Sequence, residues 1–239
     1  MRRFPLPIFL LPFFLSFPTG QTLPFKVGEI LEYSAHFNVI PAGTASLRVI
    51  SIDTVNGVPA FHVRFEAKTS PLADRLYKIR DRIDTWLDRN NLATHKQSKR
   101  IREGSYRKKY DTIIDYSQSI AITNGDTLSI THPVRDPYSL FYYLRTIPLP
   151  EGTVIPFTTF DSNVLTNFHV VVAGKETIFV PAGTFASVLV KPYRERGTLF
   201  KNQGAMKIWF SDDARRLPVQ IHVKMKYGSM LLRLKKFNP

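Results

Sequence analysis

Apolar and polar residues alternate along much of the chain, a pattern typical of β-strands that bury one face. The stretch from residue 61 to residue 68, FHVRFEAK, follows this period of two without interruption. The same period returns in residues 219–226 and 230–235, close to the end of the chain. Taken with similar runs elsewhere, the pattern predicts roughly a dozen strands and one or two short helices.

Short turn-forming sequences separate the predicted strands. Turns at residues 89–91 and 103–104 divide the region 77–116 into a meander of three strands. The string PAGT occurs twice, beginning at Pro41 and at Pro181. Because proline fixes φ and glycine tolerates positive φ, each copy predicts the corner of a β-hairpin.

One segment, DPYSLFYYLR, predicts a helix instead of a strand. Asp136 can cap its first amides, and Pro137 suits the first helical position. Leu140, Phe141 and Leu144 then form one apolar face. Two interpretations of this helix stay open, since it can plug the open side of a curved sheet or border a cavity.

The order of these elements predicts an all-β, mainly antiparallel fold. Turn signals recur regularly and no βαβ spacing occurs, so the sheet is expected to curl or close. We therefore predict a curved sheet that forms a half-barrel or open barrel, with one or two short helices as plug or lid. Residues 21–239 are predicted to form a single β-rich domain.

The first twenty residues have the layout of a secretory signal peptide. Two arginines precede an apolar run from Phe4 to Phe17, followed by turn-forming residues as far as Gly20. A helix of that run would rise about 21 Å, short of the roughly 30 Å hydrocarbon core of a membrane. We predict export to the periplasm or the extracellular space, and no transmembrane span after cleavage of residues 1–20.

Positive charge is concentrated in two blocks of the chain, whose formal net charge is +14. Residues 75–110 hold 12 Lys and Arg against 4 Asp and Glu, and residues 191–236 hold 12 against 3. Such blocks favour an anionic partner such as a lipid or lipopolysaccharide. The alternative is that they are the solvated faces of strands, where basic residues also protect sheet edges.

Recognised catalytic motifs are absent from the sequence. It contains no cysteine, and its six histidines have no metal-ligand spacing, so we predict no catalytic residue, no metal site and no cofactor. The neighbouring Asp212 and Asp213 are interpreted as turn formers between two strands. Tyrosines among the basic residues of 75–110 suggest a stacking surface, but export argues against a nucleic-acid partner.

Four segments resemble one known family. These are GEILEYSAHFNVIPAGTASLRV, DPYSLFYYLR, VPAGTFASVLVKP and IWFSDDARRLPVQIHVKMKYGSMLLRL. They are similar to the exported bacterial domain-of-unknown-function family 3108, and the resemblance covers residues 28–234. It implies a secreted, β-rich domain and assigns no activity. A looser analogy links such sheets to the half-barrels of periplasmic lipoprotein carriers.

Two functional hypotheses follow, and an unrecognised enzyme is the third. In the first, a non-enzymatic periplasmic protein carries a lipid or other apolar envelope ligand inside its curved sheet. The residues predicted to line that ligand are Trp86, Leu140, Phe141, Leu144 and Trp209. The residues predicted to contact an anionic surface are Lys224, Lys226 and Lys235. In the second hypothesis, side chains fill the interior, and the protein contacts other envelope proteins.

Overall fold

The computed structural model describes residues 23–131, 133–193 and 206–238, so the predicted signal peptide lies outside the described residues. The alternating segments form strands throughout this part of the chain. The strands are β1 (Ile30–Phe37), β2 (Ile40–Val55), β3 (Val58–Thr69), β4 (Arg80–Asp88), β5 (Thr94–Glu103), β6 (Tyr106–Asp115), β7 (Ile120–Thr123), β8 (Asp126–Ser129), β9 (Val154–Asp161), β10 (Val164–Val180), β11 (Gly183–Tyr193), β12 (Met206–Ser211), β13 (Pro218–Met225) and β14 (Gly228–Asn238).

All fourteen of these described strands belong to one sheet. Its order is β8-β7-β6-β5-β4-β3-β2-β1-β14-β13-β12-β11-β10-β9, and every neighbouring pair is antiparallel. The chain runs outward from β1 to one edge and returns through α2 and β9 to meet β1 again at β14. The prediction of an antiparallel, curved and open β-fold is confirmed.

The sheet curls without closing into a barrel. Lys99 on β5 donates to both carboxylate oxygens of Asp161 on β9, at 2.7 and 2.8 Å. The linking segment pairs with the same edge strand, because Arg135 forms a parallel bridge with Thr159. The edge strand β9 is thus held near β5, and the sheet continues past this contact through β6, β7 and β8.

Two short helices interrupt the strands, α1 (Pro71–Asp74) and α2 (Ser139–Thr146). Helix α2 is the predicted one, although it begins at Ser139 and not at Pro137. Asp136 still caps it, since its Oδ1 accepts the backbone amides of Tyr138 at 2.8 Å and Ser139 at 3.3 Å.

The interior of the curled sheet is filled around α2. Leu144 is fully buried, and Leu140 and Phe141 are 4% and 8% exposed. They share one apolar cluster with strand residues from both halves of the sheet, among them Leu47, Val63, Leu87, Val170, Ile208 and Leu234. Helix α2 therefore acts as a plug of the interior, as one of the two interpretations predicted.

A buried ion pair ties this helix to Glu29, the residue just before β1. Arg145 donates to both carboxylate oxygens of Glu29 at 2.7 Å, and the two side chains are 1% and 3% exposed. Two further guanidinium hydrogens bond the carbonyl oxygens of Pro24 and Arg215. The buried charge thus has a counter-ion and four hydrogen bonds, which offset the loss of water.

Only one of the two PAGT copies forms a hairpin corner. Pro181 and Ala182 form the turn between β10 and β11, and Gly183 has a φ of +132°. The prediction for the first copy is wrong, because its hairpin turns at Asn38, and the copy that begins at Pro41 lies within β2. There the register against β1 shifts between Ala35 and His36, so the first copy forms a β-bulge.

Candidate functional site

The two faces of β4 differ in chemistry. Ile83 and Leu87 are buried against the interior, and Thr85 donates to Asp136, just before α2. Since successive strand residues point to opposite faces, Asp84 and Trp86 lie on the other side of the sheet. We call this side the outer face.

A cleft of about 700 Å³ opens on the outer face across strands β3 to β7. We call it the Trp86 cleft. Its lining combines aromatic, cationic, carboxylate and aliphatic side chains, including Trp86, Arg82, Arg100, Asp84, Asp111 and Ile113. Such a mixture can bind a ligand that has both a charged and an apolar part.

Asp84 organises the floor of this cleft. Its carboxylate accepts hydrogen bonds from His62 Nε2 at 2.7 Å, Arg64 Nε at 2.6 Å and Arg82 Nε at 2.7 Å. Burial raises the pKa of Asp84, but these three hydrogen bonds outweigh burial and hold the pKa well below its ordinary value. The aspartate is therefore a fixed anion that orients three side chains.

Trp86 is held in place from several directions. The imidazole of His62, on β3, stacks on the indole with ring centroids 4.5 Å apart, and Lys96 Nζ, on β5, lies 4.5 Å from the ring centroid. The indole Nε1 donates to Asp53 Oδ2 at 2.8 Å. Hydrogen bonds from Trp86 and Ser51 lower the pKa of Asp53. The indole is thus a rigid part of the cleft wall.

A second cleft on the sheet, of about 440 Å³, is also strongly charged. Arg48, Lys68, Arg80 and Lys235 line it together with acidic residues such as Glu66. Arg82 lines both this cleft and the Trp86 cleft. The two clefts therefore form parts of one basic region on the sheet.

A third cleft, of about 330 Å³, contains a histidine and an aspartate but not the geometry of a catalytic triad. His95 Nε2 lies 3.2 Å from Asp88 Oδ2, and Ser119 lines the same cleft. Among the described residues, no hydrogen bond joins Ser119 to His95, which a nucleophile and its base would form. Asp88 also accepts the amides of Asn90 and Asn91, so it stabilises the β4–β5 turn.

Asp213 likewise has a turn-forming role. Its Oδ1 accepts hydrogen bonds from Ser211 Oγ at 2.8 Å and from the amides of Arg215 and Arg216 at 3.0 and 3.1 Å. Asp212 instead pairs with Lys175 at 2.7 Å. The two aspartates have separate partners, which agrees with the turn interpretation.

The structure separates the residues predicted to line an apolar ligand. Leu140, Phe141, Leu144 and Trp209 belong to the interior cluster, where Trp209 donates to Glu176 at 3.0 Å. Trp86 lies on the outer face and lines the cleft named after it. The predicted ligand contact of these five residues stays a prediction.

The three lysines predicted to contact an anionic surface are all exposed, but they do not form one cluster. Lys224 and Lys226 lie at the tip of the β13–β14 hairpin, and Lys224 pairs with Ser229. Lys235 lies six residues beyond Ser229, which is about 20 Å along an extended strand. Lys235 instead belongs to the second cleft.

Sequence reasoning missed the groups that surround Trp86. His62 lies on the polar side of β3, where it is half-buried against Trp86. The signal that could have found the cleft is the spacing of polar residues across the Gly104 turn. A hairpin at Glu103–Tyr106 pairs Arg100 with Lys109 and Ser98 with Asp111.

In the part of the chain that the structure describes, no helix is long and apolar enough to cross a membrane. Within those same residues, no group of three or more His, Asp or Glu side chains is arranged to hold a metal ion.

Comparison with solved structures supports the barrel-like fold. The chain is similar to a beta-barrel-like protein of the domain of unknown function DUF1849 from Brucella abortus, with a TM-score of 0.57 and 12% sequence identity. That match covers 89% of this chain and 97% of the other. A putative exported protein with YmcC-like fold from Bacteroides fragilis matches with a TM-score of 0.35 and 12% identity, over 91% and 98% of the two chains.

Sequence comparison defines the family. No curated protein sequence matches the chain. The family described as "Protein of unknown function (DUF3108)" matches residues 32–235, which span nearly the whole sheet from β1 to β14. The chain therefore belongs to the DUF3108 family.

Proposed function

We propose that this protein is an exported, non-enzymatic binding protein of the cell envelope. It contacts an anionic envelope ligand, such as a lipid or lipopolysaccharide phosphate, through the basic outer face of its sheet. The predicted signal peptide at residues 1–20 supports export to the periplasm or the extracellular space.

The observation that carries this proposal is the filled interior. The apolar side chains of α2 pack among strand residues, and the buried pair Arg145–Glu29 fixes the helix to the start of the sheet. A carrier of apolar molecules needs an interior volume that its own side chains leave free. The packed interior supports the filled core of the second hypothesis, and we place the ligand on the outer face instead of inside the sheet.

Surface charge supports an anionic partner over a neutral one. The Trp86 cleft and the second cleft, which Arg48 and Lys235 line, both lie on the sheet and share Arg82. Clustered arginines favour phosphate because their planar guanidinium groups donate paired hydrogen bonds. The lysines at the tip of β13–β14 extend the positive surface away from the clefts.

Flotation with lipid vesicles tests the proposal. The purified exported protein is expected to bind vesicles that contain phosphatidylglycerol and not vesicles of phosphatidylcholine, with binding that weakens as salt rises. The triple variant Lys224→Glu, Lys226→Glu, Lys235→Glu should lose most of this binding. The matched variant with arginine at the same three positions keeps the charge and should bind normally. Equal binding of the two variants, or of both vesicle types, contradicts the proposal.

A further inference from the structure

A row of three cations crosses the outer face at one end of the Trp86 cleft. The register places Arg82 on β4 opposite Arg100 on β5, and Arg100 opposite Lys109 on β6. Side chains that oppose each other across antiparallel strands have Cβ atoms about 5 Å apart, and like charges in such pairs destabilise the sheet. The row therefore holds three positive charges across about 10 Å of sheet.

The middle charge of this row has no direct ion-pair partner within the described part of the chain. Arg82 donates to Asp84, and Lys109 Nζ lies 2.6 Å from Asp111 Oδ2. The side chain of Arg100 is exposed and forms no hydrogen bond or ion pair with the residues that the structure describes. Hydrogen bonds from Lys109 and Ser98 lower the pKa of Asp111, and the charge of Arg100 acts in the same direction. An anion bound at Arg100 would relieve the repulsion along the row.

Two further rows follow along the same strands. Asp84, Ser98 and Asp111 form the next row, and Ser98 Oγ donates to Asp111 Oδ1 at 2.7 Å. The third row brings Trp86 and Lys96 beside Ile113 and Ile122, which are 45% and 38% exposed. The first and third rows lie four residues apart on β5, which is about 13 Å. The cleft thus changes from cationic through hydrogen-bonding to apolar along its length.

We propose that the Trp86 cleft binds a phosphorylated sugar that carries an aliphatic substituent. The phosphate bonds the guanidinium groups of Arg100 and Arg82, which can each present paired donors. The sugar hydroxyls donate to Asp111, and the aliphatic substituent covers Ile113 and Ile122. This inference rests on the proposed function, because it names the class of anionic ligand that the outer face takes.

An aliphatic substituent fits this cleft better than a nucleobase. A base binds through an open aromatic face on which it can stack. The indole of Trp86 already stacks on His62 from β3 and contacts Lys96 from β5, so its two neighbours flank the ring. Ile113 and Ile122 offer an aliphatic surface instead.

Tryptophan fluorescence tests the inference, because the chain has two tryptophans and only Trp86 lies in the cleft. The Trp209→Phe variant leaves Trp86 as the reporter and is titrated with hexyl glucoside 6-phosphate. We expect a saturable change in emission, with at least tenfold weaker binding of hexyl glucoside, inorganic phosphate and adenosine monophosphate. If Trp209→Phe folds poorly, calorimetric titration of the unmodified protein gives the same ranking of ligands.

Substitution of Arg100 supplies the decisive control. Arg100→Gln should weaken binding of hexyl glucoside 6-phosphate at least tenfold and raise the Tm of the ligand-free protein by about 1–2 °C at low salt. Lys108→Gln also removes one positive charge. Lys108 lies on β6 beside Lys109, but its side chain points to the other face of the sheet, so binding should be unchanged. Equal effects of the two variants, tighter binding of the nucleotide, or no saturable signal would overturn the inference. If anionic vesicles still bind in that case, the proposed function stands, and if neither ligand binds, both proposals fail.

Discussion

Arg145 and Glu29 lie 116 residues apart in sequence and meet in the interior of the curled sheet. Their pairing removes two charges from water, which costs energy that the hydrogen bonds must offset. Each carboxylate oxygen accepts one guanidinium hydrogen at 2.7 Å, and two backbone carbonyls accept one more each. The pair is thus stable only when it is complete.

Glu29→Gln tests this dependence. Removal of the carboxylate charge leaves Arg145 buried without a counter-ion, so the free energy of unfolding should fall by about 3–5 kcal/mol. The matched control is Lys175→Gln, which breaks the exposed pair with Asp212 and should cost no more than about 1 kcal/mol. Urea denaturation of both variants measures the difference. Similar losses in the two variants would contradict the account.

The low pKa of Asp84 predicts how the stability of the folded protein depends on pH. Its folded-state pKa lies below the unfolded value of about 3.9, so its contribution is present above that pH and is lost as pH falls toward the folded pKa. Asp84→Asn should lower stability at pH 7 by about 2 kcal/mol and reduce the further loss between pH 4 and pH 2. Thermal unfolding over this pH range checks both effects, with the exposed Asp126→Asn as control. If Asp84→Asn lost as much stability between pH 4 and pH 2 as the unmodified protein does, this role would be refuted.

At the scale of elements, the sequence predicted turns that depend on the residues within them, but it did not predict bulges. Pro181 forms a corner because the strands on either side, β10 and β11, pair directly with each other. The same string at Pro41 lies inside β2, because Asn38 and the residue after it already turn the chain. Local sequence does not say which of two adjacent turn signals the sheet uses, because strand pairing decides it.

The bulge at the first PAGT copy makes Gly43 indispensable. A Cβ atom at Gly43 would lie 2.0 Å from the carbonyl oxygen of Lys68 on β3, although its φ is not positive. Gly43→Ala should therefore destabilise the fold by about 3 kcal/mol or more. At Gly57, where φ is +79° and nothing lies within 4 Å of a Cβ, alanine should cost only about 1 kcal/mol. Chemical denaturation that ranks these two variants in the reverse order would contradict the packing argument.

Helix α2 provides a test of the filled interior. Leu144 is fully buried, so Leu144→Ala should leave a cavity and cost about 2–5 kcal/mol. Leu76→Ala, at a side chain that is 91% exposed, serves as control and should be nearly neutral. If the helix were instead a lid over open space, truncation of Leu144 would cost little. Thermal denaturation of the two variants distinguishes these cases.

At the scale of the whole molecule, the sequence predicted the class of fold and the helix. It did not predict which side chains of distant strands contact each other when the sheet curls. Alternation predicted the strands, and Asp136 predicted the cap of a helix that begins at Ser139, two residues later than Pro137, because both signals are local. The contact between Lys99 and Asp161 depends on how the sheet curls, which no local pattern encodes.

The candidate site was not predicted from the sequence for a similar reason, since it depends on how the strands pair. The Gly104 turn sets the pairing of Arg100 with Lys109, and a close reading of the hairpin could have found it. The pairing of Arg82 with Arg100 depends on a register shift in the β4–β5 ladder between Trp86 and Leu87. The sequence contains no signal that predicts this shift. Trp86, which we predict to line an apolar ligand, lies on the outer face and apart from Leu140, Phe141 and Leu144.

Native mass spectrometry of the protein, purified without detergent, tests the central claim that ligands bind outside a filled interior. The account predicts that no neutral apolar molecule co-purifies, and that added hexyl glucoside 6-phosphate forms a one-to-one complex that Arg100→Gln abolishes. A neutral apolar or acylated molecule retained at one copy per chain, equally in Arg100→Gln and in the unmodified protein, would contradict the account and indicate an interior carrier.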